Sequence, residues 1–396
     1  MLEYWIWLSL LHLQPRQKLA LLQRFQDPET IYKAQAEDFG DLSVTAEAVA
    51  DKDLTKARKI LAQCAHKRIG IVAYGDSGYP KRLKNVEDPP FVLYYKGVLP
   101  NWEAAPVIGV VGTRKASPYG LNMAKQLGYQ IAAAGALLVS GGALGIDAEA
   151  MTGALGAGQP TVAVLGCGVD VVYPKHNEAL LAKTAEQGCL LSEYPPETQA
   201  RTWQFPQRNR IISGISNGVL VVEAPENSGA LITARYAMDQ GRDVFVVPGN
   251  AGQKSAAGSN QLLRERVMPV FTGWDAVREY ESLYPGVLTD RDSTYTQESA
   301  PPICSELPYK KPETPKPDKK SVDNREESRY SVLNNAACPL TDEEQAIVSC
   351  LTPQPQLLDD VLERIPLPSG KALSLITVLA LKGVVVNHPG KRISLK

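Results

Sequence analysis

Residues 107–118 read VIGVVGTRKASP, and this run decides the fold. Val107–Val111 is a continuous apolar run with no polar alternation, as a strand buried on both faces requires. Gly112-Thr113-Arg114-Lys115 turns the chain, and Ser117-Pro118 supplies the cap and first-turn proline of a helix reaching about residue 134. Strand, glycine turn and helix in immediate succession form the repeating unit of a parallel sheet.

Working outward, the strand signal recurs at Leu137–Ser140, Thr161–Leu165, Cys189–Ser192, 218–222 and 244–247. Helical patterns at 146–155, 177–187 and 230–240 separate them, and a further strand is expected at 91–95. The fold class is therefore α/β, with an extended Rossmann-like doubly wound sheet over 69–285. Residues 1–68 read as a small all-α domain of SAM or HhH-like type, with apolar spacing at Leu19, Leu22 and Phe25 and again at Leu54, Ala57, Ile60, Leu61 and Cys64. Residues 286–339, rich in Pro, Lys, Glu and Ser, carry too few large aliphatics to offset chain entropy and read as a disordered linker. In 340–396, helices are expected from Thr341, over 356–364 and over 369–382, followed by a hairpin of 384–386 with 392–395: a winged helix.

The chain has 396 residues, 42 basic against 43 acidic side chains and a net charge of −1. Binding of nucleic acid or membrane by bulk charge is thereby excluded, but a local basic site is not. The six cysteines stand alone, with no CxxC pair and no zinc-ligand spacing, so neither metal nor disulfide is expected. No uncharged apolar run approaches the roughly 18 residues of a membrane span. The chain reads as a soluble cytoplasmic protein.

In a doubly wound sheet, ligands bind beyond the carboxyl ends of the strands. Those turns carry Gly112 to Lys115, Gly141-Gly142, Gly166-Cys167-Gly168 with Tyr173-Pro174-Lys175, Glu223, and Ser228-Gly229. Glycine lets backbone approach a ligand, and helix starts attract anions, so several such turns with Arg114 and Lys175 suggest a multi-phosphate rim. There is no P-loop, no complete dinucleotide fingerprint and no nucleophile elbow. Asp147 and Glu149 read as first-turn helix carboxylates, and Glu223 as a hydrogen-bonding partner of its neighbouring loop. Trp203 to Gly214, WQFPQRNRIISG, joins aromatic residues to Arg208, Asn209 and Arg210. Rings stack on bases and guanidinium groups pair with phosphates, as single-stranded nucleic acid needs. The competing reading, of equal weight from spacing alone, has the aromatics capping the core and the arginines on a solvated helix face.

GVVGTR at 109–114, SGGALGIDAEA at 140–150, GCGVDVVYPKHN at 166–177, FPQRNRIIS at 205–213 and EAPENSGALITA at 223–234 together resemble the DNA-processing protein A family, DprA or Smf. The resemblance spans roughly residues 70 to 280. It implies a single-stranded DNA-binding protein of natural transformation that protects incoming strands, helps load RecA recombinase, forms a homodimer, and has neither enzymatic turnover nor a cofactor. Carried over by position, Arg114 and Lys175 are the principal phosphate contacts. Thr113, Lys115, Arg208, Asn209, Arg210 and Ser228 line the same groove, Phe205 belongs to a base pocket, and Gly112, Gly141, Gly142 and Gly229 offer backbone N–H groups. Leu262, Leu263 and Val267 are the dimer candidates. The alternative is a nucleotide-processing enzyme or nucleotide sensor similar to the lysine decarboxylase-like phosphoribohydrolases. Their PGGxGT turn differs from Ser140 to Gly145 here.

Overall fold

A computed structural model describes residues 1–39, 49–265, 267–290 and, with short gaps, 341–395. These fall into two compact units, one within Met1–Tyr309 and one within Lys310–Lys396.

In the larger unit the core sheet is built from β3 (Val107–Val111), β4 (Leu137–Ser140), β5 (Thr161–Leu165), β6 (Cys189–Ser192), β7 (Gly218–Val221) and β8 (Asp243–Val246), all parallel to their neighbours. Its edges are extended by β1 (Gly70–Ala73) and β2 (Val92–Gly97), which run antiparallel, and by the two-residue β9 (Met268–Pro269). The strand order is β1-β2-β6-β5-β4-β3-β7-β8-β9. From β3 the chain winds outward through β4, β5 and β6, then returns across the sheet to β7 on the other side of β3. The switch point therefore lies between β3 and β7, where an open α/β sheet leaves a crevice.

Successive strand residues feed opposite layers. Ile108, Val110, Leu138, Ala163 and Leu220 join one apolar cluster, and Val107, Val111, Val139, Val162 and Val219 join the other. α5 (Pro118–Ala133), α6 (Ile146–Gly156) and α7 (Glu178–Gln187) cover the first face, while α8 (Gln204–Ile215) and α9 (Gly229–Asp239) cover the second. Being buried on both sides is why these strands read as unbroken aliphatic runs. The expected caps form: Ser117 Oγ accepts from Gly120 N at 3.1 Å, and Ser228 Oγ from Ala230 N at 3.3 Å.

The N-terminal helices α1 (Leu2–Leu10), α2 (Pro15–Phe25), α3 (Pro28–Lys33) and α4 (Thr55–Lys67) bury Trp5, Ile6, Leu8 and Leu21 in the same apolar cluster as Tyr94, Ile108 and Leu138. Their core is thus continuous with that of the sheet. Residues 286–290, placed at the start of the expected linker, remain on the folded unit: Leu288 is buried and Thr289 N donates to Ala134 O at 3.1 Å. The rest of that linker, 291–339, lies outside the described residues.

The smaller unit opens with α11 (Asp342–Ser349), which begins with a reciprocal capping box between Thr341 and Glu344. Gln356–Leu357, expected to begin a helix, instead forms strand β10, because Gln356 and Leu357 pair with Ile393 and Arg392. Helical residues appear beyond it, at Val361 and Leu362 and again at Ala372, Leu375, Ile376 and Leu379. β11 (Val385–His388) and β12 (Arg392–Leu395) form the expected hairpin, giving the order β10-β12-β11. Ile347, Val361, Ala372, Ile376, Leu379 and Ile393 fill the core of this winged helix.

Candidate nucleic-acid interface

The switch point holds a groove of about 500 Å³. Its walls come from the β3 turn (Gly112, Thr113, Arg114, Lys115), the N-terminal half of α8 (Phe205, Arg208, Asn209) and the loop entering α9 (Asn227, Ser228, Gly229). Arg114 and Lys115 are exposed, and neither forms an ion pair among the described residues. Arg114 stacks its guanidinium 5.3 Å from the centre of the Phe205 ring, and Tyr173 packs on the same ring at 5.3 Å, tilted by 31°. A narrower recess of about 60 Å³ continues behind Phe205, bounded by Gly142, Leu144, Leu165 and Pro174. The groove thus sets cations beside aromatic faces, the pairing that single strands use.

Beneath this surface lies a buried charge pair. Asp147, in the first turn of α6, accepts backbone N–H groups from Gly112, Gly141 and Ala143, the last at 3.4 Å. Arg208 faces it and donates to Gly141 O at 2.6 Å and to Val164 O. Burial raises the Asp147 carboxyl above its ordinary value, while Arg208 and the turn N–H groups oppose that rise. This revises the reading of the glycines. The N–H groups of Gly112 and Gly141 are turned to an internal carboxylate. A Cβ on Gly141 would stand 2.6 Å from both Arg208 Nη2 and Asp147 Oδ2, and one on Gly112 would stand 2.4 Å from Ile146 Cγ1. Gly142 takes a left-handed φ of 65°, and its carbonyl accepts from Asn177 Nδ2 at 2.9 Å. Gly229 alone of the four opens on space, with nothing within 4 Å of an added Cβ.

Two further expectations need correction. Arg210 is not in the groove: two residues along a helix is a rotation of about 200°, which sends it away from the Arg208 side. Its guanidinium is buried between Asp88 Oδ2 at 3.1 Å and Glu193 Oε1 at 2.7 Å. Leu262, on α10 (Ala257–Arg264), is 6% exposed within the second apolar cluster, so it is closed to a partner, and Leu263 and Val267 lean on that cluster. Lys175 lies exposed one residue past Pro174, at the rim of the recess. Thr113 is largely enclosed, its N–H donating to Glu223 O at 2.8 Å. Glu223 does bind its neighbouring loop, taking Ser117 N at 2.8 Å and Ser117 Oγ at 3.1 Å.

The residue-level expectations left out Tyr173, Thr202, Asn227 and Thr233, which also line the groove. Tyr173, Asn227 and Thr233 all stand inside motifs quoted above, and that position was the available signal. Behind the loop that carries Tyr173, Lys67 of α4 binds Asp170 Oδ2 at 2.5 Å and Glu197 Oε1 at 2.8 Å, tying the N-terminal helices to the groove wall.

The sheet order and this groove define a Rossmann-type α/β protein with its ligand crevice at the switch point, accompanied by a separate winged helix. The family model described as DNA recombination-mediator protein A matches residues 70–281, and that of the DprA winged helix domain matches 333–391. The chain belongs to the DprA family. It is 37% identical over 242 residues to the DNA processing protein DprA of Bacillus subtilis, covering 61% of this chain and 79% of that one. Among solved structures, DprA of Streptococcus pneumoniae matches with a TM-score of 0.59 at 32% identity, over 70% of this chain and 97% of that one. DprA of Helicobacter pylori, whose structure concerns its single-stranded DNA binding mode, matches with a TM-score of 0.50 at 28% identity, over 55% and 97% respectively. No helix among the described residues is long and apolar enough to cross a membrane.

Proposed function

We propose that the switch-point groove binds single-stranded DNA, and that the protein mediates recombination in DNA uptake by protecting that strand and delivering it to RecA. The observation that carries this reading is the Arg114–Phe205–Tyr173 stack on an open groove edge. Arg114, Lys115 and Lys175 supply charge to successive phosphates, Asn209 and Ser228 supply polar contacts, and Phe205 with Tyr173 receives a base. The chemistry is binding without turnover. Asp147, the carboxylate among the groove's lining residues, is committed to backbone N–H groups, Glu223 is held by Ser117, and burial pushes the Cys167 thiol up to about 11.

A homodimer forms, in this reading, along the β9 edge, where Met268 and Phe271 are exposed, rather than through Leu262. A Phe271→Asp protein that sediments as the wild type does would remove that edge from the interface. The test of the central reading is a gel-shift comparison of oligo-dT with duplex DNA of equal length, repeated with RecA. Preference for duplex overturns it. Oligo-dT binding without any acceleration of RecA filament assembly keeps the groove and removes the mediator role.

A further inference from the structure

We propose that Asp147 is a built-in occupant of the anion position at the start of α6, a specificity residue that shuts out the phosphate of free mononucleotides while the outer groove stays open to a strand. The inference rests on the strand-binding reading only for its second half. The pocket ahead of α6 has what a phosphate site needs: N–H groups converging from the β3 turn (Gly112) and the β4–α6 loop (Gly141 and Ala143), and the buried Arg208 guanidinium beside them. The Asp147 carboxylate takes those N–H groups and is 5% exposed. Its oxygens stand where phosphate oxygens would stand. The glycine at 141 fits this occupant, since a Cβ there would collide with Asp147 Oδ2 and with Arg208. The cations left over, Arg114, Lys115 and Lys175, are exposed. They reach a phosphate carried past on a chain, while the N–H groups that would hold a lone phosphate monoester are already taken.

The test is anion rescue of Asp147→Ala, with the isosteric Asp147→Asn as control. Inorganic phosphate should raise the Tm of Asp147→Ala saturably, by several degrees beyond chloride at matched ionic strength. Wild type and Asp147→Asn, where the position stays filled, should show only the linear, non-saturating rise that a kosmotropic anion gives any folded protein. If Asp147→Ala does not fold in chloride, refolding from urea in phosphate is the readout. Recovery there supports the proposal, and failure in phosphate, sulfate and formate alike overturns it. With wild type, dTMP at 1000-fold excess over the oligo-dT dissociation constant should displace none of the oligonucleotide; displacement, or a saturable phosphate-dependent rise of Tm in wild type, overturns it. Phosphate rescue in a protein that binds no oligo-dT would refute the strand reading and leave the built-in anion standing.

Discussion

Arg114 gives the sharpest test of the groove, because it stands on the exposed edge outside the buried network that holds the site. It is exposed, it has no ion pair among the described residues, its guanidinium lies 5.3 Å from the centre of the Phe205 ring, and its charge repels that of the buried Arg208. Arg114→Ala should therefore leave the fold nearly untouched, the cation–π contact being worth about 0.5–1 kcal/mol at an exposed site. On DNA the loss is larger. A hydrogen bond to a charged group contributes about 1.5–3 kcal/mol, so affinity for oligo-dT should fall by about 10- to 150-fold. The salt dependence adds an independent number. With about five phosphates neutralised, log affinity should fall against log salt with a slope near −3.5, and removing one contact should flatten it by about 0.7. Arg114→Lys should keep the slope and lose part of the affinity, since an ammonium cannot make the forked contact. Fluorescence anisotropy of labelled oligo-dT from about 50 to 300 mM salt measures both quantities. A folded Arg114→Ala protein with wild-type affinity and slope would refute the argument.

Four further outcomes follow from the same contacts. Phe205→Ala should weaken oligo-dT binding by about 1–3 kcal/mol with the salt slope unchanged, because a stacked base carries no counterion; anisotropy separates this from a charge effect. Arg210→Ala should leave the slope unchanged and lower stability by about 2 kcal/mol in urea unfolding, less than a fully buried pair costs because Asp88 is half exposed. Arg208→Met should be the most destabilising of the series, about 3–5 kcal/mol, as it strands the buried Asp147; thermal denaturation reports it. Burial of Lys18 lowers its pKa from 10.5 to about 8. The unfolded chain then holds more protons between these values, so wild-type stability should rise by up to about 3 kcal/mol from pH 8 to 10.5 relative to Lys18→Met, with no relative change below pH 7. Parallel slopes for the two proteins in urea unfolding across that window would contradict the assignment.

The strands of the parallel core were legible because burial on both faces removes the alternation that would otherwise blur them, and Ser117-Pro118 and Ser228-Gly229 marked their helices by local chemistry alone. β10 was not legible: Gln356 and Leu357 gain strand character only by pairing with Arg392 and Ile393, across a separation that no local pattern reports. At the site, Arg114 and Phe205 were found by residue type. FPQRNR looks like one cationic cluster in the linear sequence, but the helical period of α8 sends Arg208 and Arg210 to different sides. Leu262, Leu263 and Val267 are dimer candidates only through the family resemblance, and Leu262 faces the core. The glycine turns misled for a subtler reason. Glycine beside a helix start announces free N–H groups, but whether they face solvent or an internal carboxylate depends on where α6 and α8 place Asp147 and Arg208, which is a tertiary fact.

The return of the chain across the sheet has a consequence for synthesis. One wall of the groove, with Arg114, is complete once β3 and its turn exist, but the opposite wall comes from α8 and the entry to α9, more than 90 residues later. The two are latched by Thr113 and Ser117 bonding to Glu223. A nascent chain that has not reached α8 thus carries Arg114 and Lys115 without the wall that faces them.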